Sequence, residues 1–226
     1  MRNRIWKISF SFFVKPFIRR RLKEETEFSY GGLDIVVKPG VFHPEYFFST
    51  GFFLDHIYDI NFKEKTFCEV GCGTGIISLL AFRNGAKVIS LDISKKAIDN
   101  TKENYRNNFN ENTNPDFSII RSDLFDNLQP VEFDFIFINP PYFFREPKDD
   151  EQKAWFCGKE GQYFKKLFYQ LPEFSSKHSD VLMVLSDNCD VKRIKDIARN
   201  FGYKLLLIYK RRIKWEWNFL FRLEKI

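Results

Sequence analysis

Long apolar runs are missing from this chain. No stretch of roughly 18 apolar residues occurs among its 226, so no helix is expected to span a bilayer. Metal-type spacing is missing too. The three histidines (His43, His56, His178) are isolated, and the four cysteines (Cys68, Cys72, Cys157, Cys189) form no CxxC pair. Neither a metal site nor a disulfide framework is expected, and this cysteine usage fits reduced thiols in a cytoplasmic protein. The absence of GK[ST] excludes a P-loop. Ile5–Val14 is apolar but is broken by Lys7 and followed by Lys15-Pro16 and three arginines, with no small-residue cleavage site, so it does not read as a signal peptide. Weak interfacial association of that segment stays open. Repeats and low-complexity segments are absent.

What is abundant is phenylalanine, with 28 copies in a chain that is 44% hydrophobic. The length fits one domain with an appendage, and the core should be aromatic-rich. The net charge of +6 is local. Residues 1–25 hold eight Lys/Arg against Glu24 and Glu25, and the remainder carries 28 charges of each sign. This basic, aromatic-studded arm reads either as a solvated, partly docked segment or as a contact for phosphates or an acidic surface.

The pattern along the chain predicts a small hairpin over 26–38 around Gly31-Gly32, closed by Pro39-Gly40. A short helix follows, capped by Ser49 or Thr50. From residue 66 strands and helices alternate: strands at 66–70, 87–91, 117–120, 133–138 and 181–185, and helices at 75–83, 94–108, 163–174 and 191–201. Residues 108–115 read as a polar loop. Two late strands, 205–210 and 218–223, have no helix between them. The strands are continuous apolar runs, as in a sheet covered on both faces. The expected fold is α/β: a doubly wound, mostly parallel seven-stranded sheet with an antiparallel C-terminal hairpin. A basic arm and hairpin (1–40) would precede the main domain (41–226).

In such sheets ligands bind beyond the carboxyl ends of the strands. The first strand runs into Glu69-Val70-Gly71-Cys72-Gly73-Thr74-Gly75. Alternate glycines allow a sharp turn and close approach of a ligand. The dinucleotide fingerprint GxGxxG would need glycine at position 76, which is Ile76. GxGxG preceded by an acid suits a cofactor bearing an amine and a carboxylate instead of a pyrophosphate. Asp92, beside Ile93 after the second strand, can accept ribose hydroxyls or simply neighbour a helix cap. Asp123, beside Leu124 after the third, can accept an exocyclic amine of adenine.

The fourth strand ends at Asn139-Pro140-Pro141-Tyr142. Prolines fix φ and force the preceding residue to be extended. The Asn139 side-chain carbonyl and the Pro140 carbonyl can then converge on one –NH₂, with Tyr142 as a stacking face. Glu69–Gly75, Asp92, Asp123 and Asn139–Tyr142 together resemble the class I S-adenosylmethionine-dependent methyltransferases, over about residues 40–226. The tetrapeptide resembles that of the enzymes that methylate planar nitrogen. Ala154-Trp155-Phe156-Cys157-Gly158-Lys159-Glu160-Gly161 is similar to the A-x-x-x-G-x-x-G segment of the HemK/PrmC-like group. Phe42-His43-Pro44-Glu45…Thr50 is similar to that group's Y-x-P-x-E-D-T.

The resemblance implies a Rossmann-like fold, S-adenosylmethionine as cofactor and a glutamine amide of a translation release factor as acceptor. It implies catalytic roles for Asn139, Pro140 and Tyr142. Cofactor contacts would come from Thr50, Glu69, Gly71, Cys72, Gly73, Gly75, Asp92, Ile93, Asp123, Leu124 and Asn139. This chain departs from the group in three ways: two extra residues between Pro44 and Thr50, Cys157 in place of a glycine, and no helical N-terminal domain. The expected partner is therefore a protein substrate (a release factor or ribosomal protein) or structured RNA. The alternative acceptor is adenine N6 or guanine N2 of tRNA or rRNA. Against a third reading, a binding protein that keeps the fold and has lost catalysis, stand the intact Asn139, Glu69 and Asp92.

Overall fold

The computed structural model describes residues 24–46, 48–109, 114–150 and 152–226. The basic arm up to residue 23 and residues 110–113 of the polar loop lie outside the described residues.

The described residues begin with an antiparallel hairpin, β1 (Thr26–Tyr30) and β2 (Leu33–Val37). Gly31 and Gly32 turn it with φ of +57° and +77°, values a side chain would resist. Helix α1 (Phe48–Ile57) follows. It already includes Phe48, so Ser49 and Thr50 are not caps; both lie buried inside its first turn.

The body then runs β3 (Thr66–Val70), α2 (Ile76–Arg83), β4 (Lys87–Asp92), α3 (Lys95–Phe109), β5 (Phe117–Arg121) and β6 (Phe135–Ile138). It continues with α4 (Gln162–Gln170), β7 (Asp180–Ser186), α5 (Val191–Asn200), β8 (Tyr203–Ile213) and β9 (Glu216–Lys225). The helix expected to reach residue 174 stops at Gln170 and tightens into a 3₁₀ turn, Leu171–Glu173. Pro172 explains this, because it has no N–H to give to the preceding turn. The last two strands are longer than their apolar stretches, since pairing continues through the polar residues near the turn.

The seven strands lie in the order β5-β4-β3-β6-β7-β9-β8. The first five are parallel, and β9 runs antiparallel to both neighbours. The chain winds outward from β3 through β4 to β5, then returns to place β6 on the other side of β3, so the switch point lies between β3 and β6. Alternate strand residues feed two cores. Ile136, Ile138, Met183 and Leu185 pack with Phe164, Phe168 and Ile194 of α4 and α5. Phe67, Phe137 and Val184 face α1 and α2, with Phe53 at 4.5 Å and Phe67 at 4.8 Å from the Phe137 ring. The aromatic-rich core is thus mainly phenylalanine in edge or tilted contact.

The hairpin joins this second core through Leu33, Ile35 and Val37. Its free edge is satisfied by asparagines spaced one turn apart on α3. Asn100 Oδ1 accepts from Lys38 N (3.0 Å), Asn104 Oδ1 from Val36 N (2.9 Å) and Asn108 Oδ1 from Asp34 N (2.9 Å). Asn100 and Asn104 both donate back to the Val36 carbonyl, each at 2.9 Å, and Asn108 donates to the Asp34 carbonyl at 2.8 Å. Side-chain amides here do the work of a third strand, as buried backbone groups require.

Candidate active site

The carboxyl ends of β3, β4 and β6 open onto a cavity of about 300 Å³. Thr50, Glu69, Gly71, Cys72, Gly73, Asp92, Ile93, Asp123, Leu124, Asn139, Pro140 and Tyr142 all line it. Of the residues given catalytic or cofactor roles from the sequence, Gly75 alone stands outside that lining. Its role is packing. It adopts φ +79° at the start of α2, and an added Cβ would come within 2.5 Å of Thr101 Cγ2. Gly73 differs: an added Cβ would meet no protein atom within 4 Å, and φ is +57°. There glycine keeps the turn open toward the cavity it lines.

Helix α3 holds this glycine turn from below. Thr101 Oγ1 donates to the Gly73 carbonyl (3.1 Å) and Asn104 Nδ2 to the Thr74 carbonyl (2.9 Å). Asp92 holds it from the side: Oδ2 accepts from Gly73 N (3.0 Å) and Oδ1 from Ser94 N (2.8 Å). A carboxylate offers about four acceptor positions, so Asp92 keeps capacity for hydroxyls. Burial raises its pKa, and the backbone N–H groups oppose that rise.

Glu69 is buried at the base of the cavity. Its Oε2 accepts from Ser78 N at 2.9 Å and from the Ser78 hydroxyl, which in turn accepts from Ser90 Oγ at 2.6 Å. Burial pushes its carboxyl up to about 8, against the pull of these donors. A cationic amine nearby would reverse that, which is the pairing a buried acid calls for. Asp123 is exposed at the rim, where Lys166 Nζ sits 2.7 Å from its Oδ2 and 2.6 Å from Asp126 Oδ2. Leu124 adopts φ +54° although it has a side chain. Strain of this sort persists where surrounding structure imposes it, often at ligand clamps. The open glycine turn, a carboxylate with spare acceptors and a buried acid lacking a counter-charge fit a nucleoside that carries an amino-acid tail.

At the mouth, Asn139 follows β6. Its Nδ2 donates to Ser49 Oγ and Thr50 Oγ1, both at 3.4 Å. The amide nitrogen is thus engaged by α1, and Oδ1 is the atom left for an acceptor. Tyr142 lies near Ser186 at the end of β7, and burial raises its pKa. The ring meets Phe143 edge-on at 5.1 Å. The loop beyond is pinned to the segment 154–161. Phe143 N donates to the Trp155 carbonyl (3.1 Å), Cys157 N to the Phe143 carbonyl (3.0 Å) and Gly158 N to the Arg145 carbonyl (3.0 Å). Gly158 and Gly161 have φ of +85° and +70°. A Cβ at Gly158 would collide with the Gln162 side chain, and one at Gly161 would come within 2.7 Å of Ile197.

Sequence reasoning missed Tyr163 and Lys166 of α4, which also line the cavity. The Tyr163 hydroxyl has its pKa raised by burial and then by the Asp92 and Asp123 charges. Only the following of helical spacing from Gly161 would have pointed to them. Cys72 and Cys157 line the cavity as protonated thiols, since burial pushes Cys157 up to about 11 and Cys72 well above its ordinary value. No cluster of His, Cys, Asp or Glu suited to a metal occurs among the described residues. No helix among them is long and apolar enough to cross a membrane.

Residues 32–157 match the family model described as the methyltransferase small domain. The chain belongs to that family. This methyltransferase is 28% identical over 194 residues to a Methanocaldococcus jannaschii protein provisionally named a protein N5-glutamine methyltransferase, covering 82% of this chain and 92% of that one. It is 28% identical over 162 residues to the bifunctional methyltransferase of Rickettsia conorii, spanning 66% of this chain but 30% of that longer protein. Among solved structures it superposes with TM-score 0.58, at 17% identity, on a chain of the E. cuniculi Mtq2–Trm112 complex, which methylates the eRF1 translation termination factor. That match covers 83% of this methyltransferase and 99% of its counterpart and establishes likeness of fold. The methyltransferase uses S-adenosylmethionine, the cofactor of its class.

Proposed function

We propose that this enzyme methylates the side-chain amide of a protein glutamine, and that its cytoplasmic acceptor is a release factor or ribosomal protein. The observation that carries the reading is Asn139. Its amide nitrogen is turned to Ser49 and Thr50 at the cavity mouth, so Oδ1 is presented to an incoming group. An acceptor –NH₂ placed there gives one hydrogen to Oδ1 and the other to the Pro140 carbonyl. Two acceptors drawing on one nitrogen select an amide or amine and favour the positive charge that develops as it is alkylated. When bound, S-adenosylmethionine supplies a methyl group on a sulfonium, an electrophile that needs no activation. Glu69 would hold the amine of its tail, the Gly71–Gly73 turn its carboxylate, Asp92 the ribose and Asp123 with Leu124 the base. Tyr142, whose ring packs edge-on against Phe143, would stack on the planar acceptor. Most of the catalysis is orientation. The M. jannaschii relative's name supports the glutamine assignment.

A second reading, a purine –NH₂ in RNA, is favoured by the aromatic mouth, where Phe143 is 36% exposed beside Tyr142. To separate the two, purified enzyme and methyl-labelled S-adenosylmethionine are offered release factors, total tRNA and ribosomes. The expected result is label on a glutamine, located by peptide mass spectrometry. Label in RNA that survives protease refutes the glutamine assignment.

A further inference from the structure

The β8–β9 hairpin carries a surface that the methyl-transfer site does not use. Beyond the pairing of Ser186 with Asn218, the hairpin runs past the end of β7, on the carboxyl edge where the cavity opens. It is fastened to the loop behind Tyr142. Asp187 N donates to the Trp217 carbonyl (3.0 Å) and Trp217 N donates to Asp187 Oδ1 (3.3 Å), one residue beyond Ser186, which lies near Tyr142.

The hairpin has two unlike faces. Tyr209 and Arg211 turn toward α1, where Tyr209 stacks on Phe52 at 5.4 Å and Arg211 pairs with Asp55. The opposite face presents Lys210 and Arg212, with Trp217 directly across from Arg212 in the register. Trp217 is 39% exposed, with Lys210 Nζ 5.8 Å from its ring centroid. Lys214 forms the tip at φ +54°. Among the described residues, none of Lys210, Arg212 and Lys214 forms an ion pair with a carboxylate. Arg211, between them, does. Lys210 and Arg212 beside the exposed Trp217 indole, with Lys214 at the tip over Phe48 (5.1 Å) and Trp215 (5.7 Å), leave three unneutralised cations along the hairpin end, a site for a polyanion that also offers flat apolar faces. Cations two residues apart on a strand stand roughly 7 Å from one another, close to the repeat of phosphates along an extended strand. Bases then stack on the indole, the interaction that sequence-tolerant single-strand binders use.

We propose that this face binds an unpaired stretch of RNA, running beside the acceptor mouth. The inference goes beyond the acceptor assignment, because a protein glutamine presented on a ribonucleoprotein and a nucleotide acceptor would both bring RNA to this edge.

The test is binding, not transfer. Fluorescence anisotropy of a labelled oligouridine on the full chain is measured across a salt series. Replacing Lys210, Arg212 and Lys214 together by Ala should weaken binding at least tenfold and lower the salt slope by about two, at ~0.7 for each phosphate no longer neutralised. Trp217→Ala should weaken it several-fold with the slope unchanged. S-adenosylmethionine affinity of the same variants serves as the folding control and should not move. Wild-type affinity in the triple variant overturns the proposal. So does loss of binding only when Arg19, Arg20 and Arg21 of the arm are replaced. Equal affinity for polyglutamate with no effect of Trp217→Ala would assign the face to an acidic polypeptide instead, and tighter binding to the deoxy strand would remove the assignment to RNA.

Discussion

Asn104→Ala tests whether the amide bridge from α3 holds the fold and the glycine turn together. Asn104 is fully buried and serves three backbone groups: the Val36 N–H and the Val36 and Thr74 carbonyls. Truncation does not orphan all three, because Asn100 still donates to the Val36 carbonyl. Thr74 has no such reserve. The Ser78 N–H, which a regular helix would direct to it, donates to Glu69, and α2 begins with Leu79 N on the Gly75 carbonyl. Two groups are therefore left unpaired, the Val36 N–H half-buried and the Thr74 carbonyl buried. At ~1–3 kcal/mol each the loss is ~2–6 kcal/mol. Asn108, at the exposed end, makes equivalent bonds to Asp34. There water replaces the amide, and Asn108→Ala should cost about 1 kcal/mol or less. Urea unfolding followed by tryptophan fluorescence measures both. Asn104→Asp, which puts a buried carboxylate against the Val36 and Thr74 carbonyls, should cost at least as much as Asn104→Ala at pH 7. If Asn104→Ala shifts the midpoint no more than Asn108→Ala, the amide bridge is not what joins hairpin and turn.

Asn139→Ala should lower kcat by about 10²–10³ and leave S-adenosylmethionine affinity within threefold by calorimetry; loss of cofactor binding instead would overturn its role as acceptor clamp. Gly75→Ala should destabilise by ~2–4 kcal/mol through its positive φ and the Thr101 contact, and Thr101→Ser alongside it should recover part of that in a double-mutant cycle. Glu69 sets a pH dependence. Its folded pKa of about 8 lies above the ordinary 4.5, so its contribution to stability is complete below 4.5 and declines as pH rises toward 8. The slope is at most ~1.4 kcal/mol per pH unit, and Glu69→Gln should flatten it in urea titrations from pH 5 to 8. An unchanged slope in that variant would mean Glu69 is already ionised in the fold.

The sheet was legible because its buried strands are largely apolar runs that stop at a turn: Phe135–Ile138 at Asn139, and Thr66–Val70, apolar but for Thr66 and Glu69, at Gly71. Those turns are the site, so a parallel sheet announces its ligand positions in the same residues that announce its strands. The hairpin's attachment was not legible. Asn100, Asn104 and Asn108 look like one side of a solvated helix, because asparagine spacing does not say whether the partner is water or backbone. Ser49 and Thr50 misled for a related reason: hydroxyls near a helix start resemble caps, and here they serve Asn139 instead. Gly75 reads like Gly71 and Gly73 until the closeness of Thr101 is known. Local patterns carry the elements, while contacts between distant segments decide what the polar residues on them do.

The position of β9 between β7 and β8 has a consequence for biosynthesis. β8 leaves the ribosome first, yet among the described residues its only sheet neighbour is β9. As translation proceeds, β8 must wait unpaired, and β7 stays a bare edge, until β9 emerges and slots between them. The polar, cationic outer half of β8 suits a segment that spends that interval in water. The flank behind Tyr142 therefore closes only once β9 has been made, after both of the strands it joins.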